Sequence, residues 1–340
     1  MSKIVVTGAG GYIGTQILRD LLNLGHSVVG IDRFFFGMDP VIEFNNSPKM
    51  ELRKKDIRDL STKDFSGVDA VFDLACLSND PAGEIDPQLT YQINRDGRIH
   101  VAETAKKAGV KKYILSSSCS VYGQGDELKL TEKSKTNPIS VYAKSTLEAE
   151  QHNLGLSDNN FSVSALRNAT VFGLSTRMRF DLVVNLMTIS AFQKERIIVM
   201  GGGLQWRPLV HLKDVSQAFV STFKAPTNLV NQNVFNIGLI NIQIKNLAYI
   251  VRENIPLKVE IDIAPDDTDK RDYNVDFSKA EDILGFKAQT SIPQGVVEIY
   301  EALKGGNVDT GPKTITVQWY KNILEAKKLI DSIYLNKRMI

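Results

Sequence analysis

The sequence predicts an α/β fold: a doubly wound parallel sheet with a smaller, interleaved α/β lobe in its C-terminal half. Three observations predict it. Short β-branched runs alternate with helical apolar periods through the first half, a glycine-rich turn joins the first run to the first helix, and after about residue 170 the alternation loosens into shorter elements. Strand–helix–strand alternation means parallel strands with helices on both faces.

The elements follow in order. Lys3–Thr7 reads as a strand and Tyr12–Leu24 as a helix with an apolar face at Ile13, Ile17, Leu18, Leu21 and Leu22, ended by Gly25. Ser27–Asp32 is the next strand, Glu51–Lys54 a weaker one, and Ala70–Leu74 and Lys112–Ser116 stronger ones. A single long helix is expected at about Leu89–Ala108, stopping at Gly109. Beyond residue 170, helices are expected at Leu182–Gln193, Lys213–Phe223, Ile244–Arg252 and Ser278–Leu284, with strands at Arg196–Met200 and Val259–Ile263. Asp126–Pro138 and Ala264–Asp272 are polar and turn-rich. Val317–Leu335 has an amphipathic period, read as a packing helix or, in the sharper alternative, a subunit contact. The expected division is a dinucleotide-binding domain over 1–170 and a lobe over 171–340 that is mainly substrate-binding, with no clean linker.

The 340 residues allow one large or two modest domains, and 43% hydrophobic with 24% charged residues is ordinary for a globular chain. A net charge of +2 demands neither nucleic acid nor an anionic membrane as partner. No stretch approaches the roughly 18 apolar residues of a membrane span. The apolar residues of the first strand begin at Ile4, which leaves no room for a leader, so a cytoplasmic location is expected. Cys76 and Cys119 have neither metal nor framework spacing and read as reduced thiols, so no metal is expected.

The turn Thr7-Gly8-Ala9-Gly10-Gly11-Tyr12-Ile13-Gly14 lies between strand and helix, where a phosphate-binding loop belongs. Gly8 permits the tight turn, Gly11 admits a pyrophosphate to the backbone, and Gly14 lets helix and strand pack closely. The helix N-terminus at Tyr12 and Ile13 offers free N–H groups to the phosphates. Asp32 ends the second strand about 20 residues on, where a carboxylate accepts both ribose hydroxyls and repels a 2′-phosphate. This is a Rossmann-type site for NAD rather than NADP, with one caution: the Arg33 guanidinium beside Asp32 would tolerate a phosphate. Asp56 and Ile57 are candidates for the adenine edge, or simply a solvated loop.

Further motifs fall in order: Asp73-Leu74-Ala75-Cys76, Ser116-Ser117-Ser118-Cys119-Ser120-Val121-Tyr122-Gly123, Val141-Tyr142-Ala143-Lys144-Ser145, Trp206-Arg207-Pro208, and Asn233-Val234-Phe235-Asn236-Ile237-Gly238. With the TGxxGxxG loop, these resemble the extended short-chain dehydrogenase/reductase family in its nucleotide-sugar epimerase/dehydratase branch, from about residue 3 to residue 325. Ser78-Asn79-Asp80-Pro81 and the run from Arg177 to Asn185 resemble a subgroup with poorly fixed substrates. The resemblance implies a nucleotide-linked hexose lying against NAD, and a tyrosinate that takes the proton of a sugar hydroxyl, usually at C4, while hydride moves to the cofactor. The transient ketone is then re-reduced on its other face, dehydrated or released. Tyr142 matches the base and Ser118 the hydroxyl that bonds the reacting oxygen, with Leu74, Ala75, Ser116 and Ser117 at the strand ends near the cofactor. The family also implies a homodimer through helices near 89–108 and 142–153.

One position departs from the family. Its Tyr-x-x-x-Lys motif carries a lysine that holds the nicotinamide ribose and lowers the tyrosine pKa; here that position is Thr146. Lys144 is no substitute, because residues two apart on a helix lie about 200° round from each other. Thr146 keeps a hydrogen bond for the ribose but not the charge.

At the substrate end, the resemblance places Arg207 and Arg271 on the nucleotide diphosphate, with Arg179 as a third contact, since a guanidinium fork bonds two phosphate oxygens at once. The plain alternative for each is a solvated surface charge. Ser78 and Asn79 are candidates for the hexose. Thr170 stands where the family often has Asn. His211 and Cys119 read as packing residues. Dehydratases of this family usually carry acidic residues after the catalytic hydroxyl, where Cys119-Ser120 stand here, so epimerisation is favoured over elimination or release of a keto-sugar. A rival from another class is a catalytically weak NAD- and sugar-binding protein, which Thr146 keeps open.

Overall fold

The protein is described by a computed structural model covering residues 1–124, 129–265 and 272–334. Twelve strands are present among these residues: β1 (Lys3–Thr7), β2 (Ser27–Asp32), β3 (Met50–Lys54), β4 (Ala70–Asp73), β5 (Lys112–Ser118), β6 (Ser162–Asn168), β7 (Thr170–Phe172), β8 (Arg196–Val199), β9 (Trp206–His211), β10 (Asn233–Ile237), β11 (Ile240–Gln243) and β12 (Glu260–Ile263).

Seven form a parallel sheet in the order β10-β6-β5-β4-β1-β2-β3. The strand order reverses between β1 and β4, and in such sheets ligands bind at the carboxyl ends beside that reversal. β4 is buried along its whole length and β1 along all but Lys3, because helices cover both faces. β10, from beyond residue 170, closes the sheet edge. The remaining strands make a three-stranded sheet, β11-β9-β7, and a parallel pair, β12-β8, around a separate apolar cluster that includes Phe172, Leu209, Leu247 and Val296.

Two expectations are corrected and one element is added. The helix expected as one piece at about Leu89–Ala108 is α-helical at Pro87–Tyr91 and Arg98–Lys107 but widens to a π-helix at Gln92–Gly97. There the Asn94 side chain, fully buried, accepts from the Leu77 amide at 2.8 Å and donates to its carbonyl at 3.1 Å. A single-turn widening of this kind is typical near functional sites, and this one fixes the loop after β4. Second, β5 runs on to Ser118 because its pairing with β6 continues to Ser118–Asn168, so the serines belong to the strand. Third, the helix Ile292–Lys304, capped by Ser291 and Gln294, had no expectation. Parts of the two turn-rich segments, 125–128 and 266–271, and with them Arg271, lie outside the described residues.

Candidate active site

The carboxyl ends of β1, β2, β4, β5 and β6 open onto one cavity of about 790 Å³. On its dinucleotide side lie Gly8, Gly11, Tyr12, Ile13, Gly14, Asp32, Arg33, Asp56, Ile57, Leu74, Ala75 and Ser116. The same wall holds Ser78, Asn79, Ser118, Tyr142, Thr170, Arg179 and Arg207.

The glycine loop is sterically closed. Gly8 has φ +67°, and a Cβ at Gly14 would stand 2.1 Å from the Gly8 carbonyl oxygen. Such a contact forces the backbone to move, so Gly14→Ala should weaken NAD binding at least about tenfold, measured by calorimetry, with the fold retained. Thr7 at the end of β1 donates to Asp73 at 2.5 Å and accepts from the Leu74 and Ala75 amides at 3.1 and 3.2 Å. Arg98, itself buried, binds the Asp73 carboxylate at 3.1 Å and the Ser116 carbonyl at 2.6 Å, tying the ends of β4 and β5 together. A buried ion pair contributes little net stability; its effect here is to set geometry.

Asp32 accepts from the Gly10 amide at 3.0 Å and the Phe34 amide at 2.6 Å. Burial pushes its pKa up, and those amide bonds oppose the shift. Arg33 points its guanidinium to Asp56 at 2.9 Å and over the Phe35 ring, so its charge is already engaged. Asp56 also binds Arg58, which is the main reason its carboxyl is held at about 2.

Tyr142 lies in the first turn of the helix Val141–Gly155, near enough to Ser118 for that hydroxyl to favour the ionised phenol. Ser140 caps this helix at the Ala143 amide and bonds Asp80, while Glu84 accepts from the Val141 amide at 2.8 Å. The tyrosine is thus clamped to the turn at Asp80–Gly83, where Gly83 leaves room for it: a Cβ there would meet Tyr142 at 3.0 Å. Burial raises the Tyr142 pKa, with Cys76 and Asp80 adding to it and Ser118 and Arg98 opposing. The three serines divide: Ser116 accepts from Asn168 at 3.1 Å, Ser117 bonds the buried Glu150 at 2.5 Å, and Ser118 meets Tyr142.

Lys144 is exposed and off the cavity wall. Thr146 is 1% exposed, its hydroxyl has no hydrogen-bond partner among the described residues, and it too does not reach the wall. Arg179 makes a two-pronged pair with Asp181, both contacts 3.0 Å, and donates to Ser78 at 3.1 Å; Asn79, at φ +82°, bonds the same Asp181 at 2.8 Å. A non-glycine residue at such a φ is strained, and strain of this kind collects at ligand sites. Arg207 is buried and donates to the Trp206 carbonyl at 2.9 Å. His211 is fully buried against Glu298 at 2.7 Å, and Cys119 is buried with its thiol on the Arg167 carbonyl, both outside the cavity wall.

Several cavity residues carried no site role in the sequence reading. Asn168 keeps a buried oxygen without a partner among the described residues. Arg177, Val317 and Tyr320 reach the cavity from later in the chain. No local motif marks any of them. Among the described residues no cluster of metal-binding side chains occurs and no helix is long and apolar enough to cross a membrane.

The glycine cradle, Asp32 and the pinned Leu74–Ala75 backbone fit a dinucleotide, and the comparisons agree. The profile of the NAD dependent epimerase/dehydratase family matches residues 4–238. The chain is 27% identical to UDP-glucose 4-epimerase of Mycolicibacterium smegmatis, over 88% of this chain and 97% of that one. It is 26% identical to UDP-glucuronic acid decarboxylase 4 of Arabidopsis thaliana, over 86% of this chain and 67% of the relative. Among solved structures, MoeE5 in complex with UDP-glucuronic acid and NAD superposes with a TM-score of 0.80 at 25% identity, covering 89% of this chain and 99% of its own. The chain belongs to the NAD-dependent epimerase/dehydratase family of nucleotide-sugar enzymes, and its cofactor is NAD.

Proposed function

We propose that the protein epimerises a nucleotide-diphosphate hexose at C4, with Tyr142 as the base. The observation that carries this reading is that Tyr142, with Ser118 acting on its phenol, shares one cavity wall with a dinucleotide cradle and with Arg207. Bound NAD supplies the hydride acceptor at the sugar carbon. Tyr142, as tyrosinate, takes the hydroxyl proton, and Ser118 holds the same oxygen, so that proton and hydride leave on adjacent atoms. Inversion follows when the hydride returns to the opposite face of the ketone carbon while Tyr142 hands its proton back to the oxygen.

Arg207, buried in the wall, is suited to the diphosphate. Arg179 already spends its fork on Asp181 and Ser78, so it contributes by fixing Ser78 and Asn79 toward the hexose. UDP is the nucleotide suggested by the relatives. The test is to incubate the purified protein with UDP-glucose, UDP-glucuronic acid and UDP-N-acetylglucosamine and follow the sugar protons by NMR. A C4-inverted product is expected from at least one; a product lost to dehydration or decarboxylation, or no product from any, counts against the reading.

A second reading has its own observation. Thr146 puts no cation beside a tyrosine whose proton is held by burial, which favours a protein that binds NAD and sugar but turns over slowly. Tight binding of a nucleotide sugar without product would favour it.

A further inference from the structure

The helix Thr316–Ile333 lies across the dinucleotide side of the cavity, and only its first turns are docked. Thr316 is buried and accepts from Arg177 at 3.0 Å. The Trp319 indole donates to the Phe35 carbonyl at 2.7 Å. The Tyr320 ring packs on Phe35 and Phe36, with centroids 6.3 and 5.7 Å apart. Phe35 and Phe36 lie just after Asp32-Arg33-Phe34, so these contacts fasten the helix to the wall that carries the ribose acid. On the other lip the same helix packs against the turn at Asp80–Gly83. Val317 and Tyr320 line the cavity between the two.

Arg177 completes this cover. Its guanidinium lies 3.5 Å from the centroid of the Phe36 ring, it is 4% exposed, and it lines the cavity. One terminal nitrogen bonds Thr316 and reaches the Lys313 carbonyl at 3.5 Å, but its Nε has no partner among the described residues. Burial, with Arg179 nearby, pulls its pKa down to about 10. A buried cation with an unspent donor is costly until an anion arrives. The dinucleotide's phosphates are the anions that the helix N-terminus at Tyr12 brings to this cavity.

We propose that the helix Thr316–Ile333 and Arg177 form a clasp over the adenosine-diphosphate half of bound NAD, with Arg177 bonding its phosphates from the side opposite the glycine loop. NAD then leaves only when the first turns of that helix undock, and most of the helix beyond them has little contact to hold it. A clasped cofactor suits a reaction that returns its hydride within each cycle and hinders one that must exchange cofactor every turnover.

The inference rests on NAD binding and needs no sugar, so its test is separate from that of the proposed reaction. The protein is loaded with labelled NAD, chased with excess unlabelled NAD, and the release rate is compared for wild type, Trp319→Ala, Trp319→Phe and Arg177→Gln. The two tryptophan variants should release NAD about tenfold faster, or more for alanine, since each loses a hydrogen bond that closes the clasp. Arg177→Gln should weaken binding about tenfold and flatten its dependence on salt, as loss of a charged phosphate contact does. Melting temperatures check the fold; if Trp319→Ala fails to fold, the other two variants decide. Release rates within twofold of wild type in folded variants would overturn the proposal. Tighter NAD binding by the tryptophan variants would overturn it too, because the helix would then be occupying the cofactor site.

Discussion

Tyr142→Phe is expected to lower turnover of a nucleotide sugar by about 10²- to 10⁴-fold while leaving fold and NAD content intact. The change removes one oxygen. The ring stays in the slot against Gly83, and the helix cap at Ser140 does not involve the phenol. Ser118 still accepts from the Ser120 amide at 3.1 Å, so the cost in stability should be within about 1 kcal/mol. What disappears is the cavity group beside Ser118 that can take a sugar-hydroxyl proton and return it. Steady-state rates by NMR, NAD content by absorbance and a melting curve distinguish the outcomes. A variant that keeps its rate within tenfold of wild type shows that another group is the base. A variant that has lost NAD as well shows that the tyrosine holds the cofactor rather than the proton.

The parts of the site that were legible in the sequence are those built from local geometry. Gly8, Gly14 and Asp32 act within one strand–turn–helix–strand unit, so spacing alone places them, and the cavity wall holds all three. Ser118 and Tyr142 come from distant segments, but each sits at a fixed position of its own element, a strand end and a helix start. Less legible were features set by what packs against a segment. Nothing in Gln92–Gly97 announces a π-helix; it follows from Asn94 reaching the Leu77 backbone. The amphipathic period of the last helix was visible, yet which surface it covers depends on Trp319 finding a carbonyl at Phe35, a contact no periodicity encodes. For Arg179 the residue type leaves a phosphate contact and a solvated surface charge both open, and in the structure Asp181 two residues on takes up its fork. Arg177 carried no expectation and keeps the unspent donor.

Thr146→Lys should shift the pH–rate profile down by about two units and speed turnover near neutral pH by up to about 100-fold. Tyr142 works as a base only when ionised, and burial holds its pKa above the ordinary value, so the wild-type rate should climb with pH through the neutral range without a plateau. Among the described residues the cationic help comes from Arg98, whose charge is shared with Asp73. Thr146 lies one helical turn from Tyr142, and a lysine there brings an ammonium to within some 5 Å of the phenolate. At an effective dielectric near 20 that is about 3 kcal/mol, or about two pKa units. The opposing cost is that residue 146 is buried: the amine must reach the cavity or surrender its own proton. Removing the threonine also removes a hydroxyl that lacks a partner, so the fold loses no hydrogen bond. The measurement is kcat between pH 6 and 10 for both proteins, with melting temperatures alongside. A profile that moves down identifies the missing cation as the brake on Tyr142. A folded variant with an unmoved profile means that proton transfer from the sugar does not limit the rate, and that the departure at residue 146 is compensated elsewhere in the site.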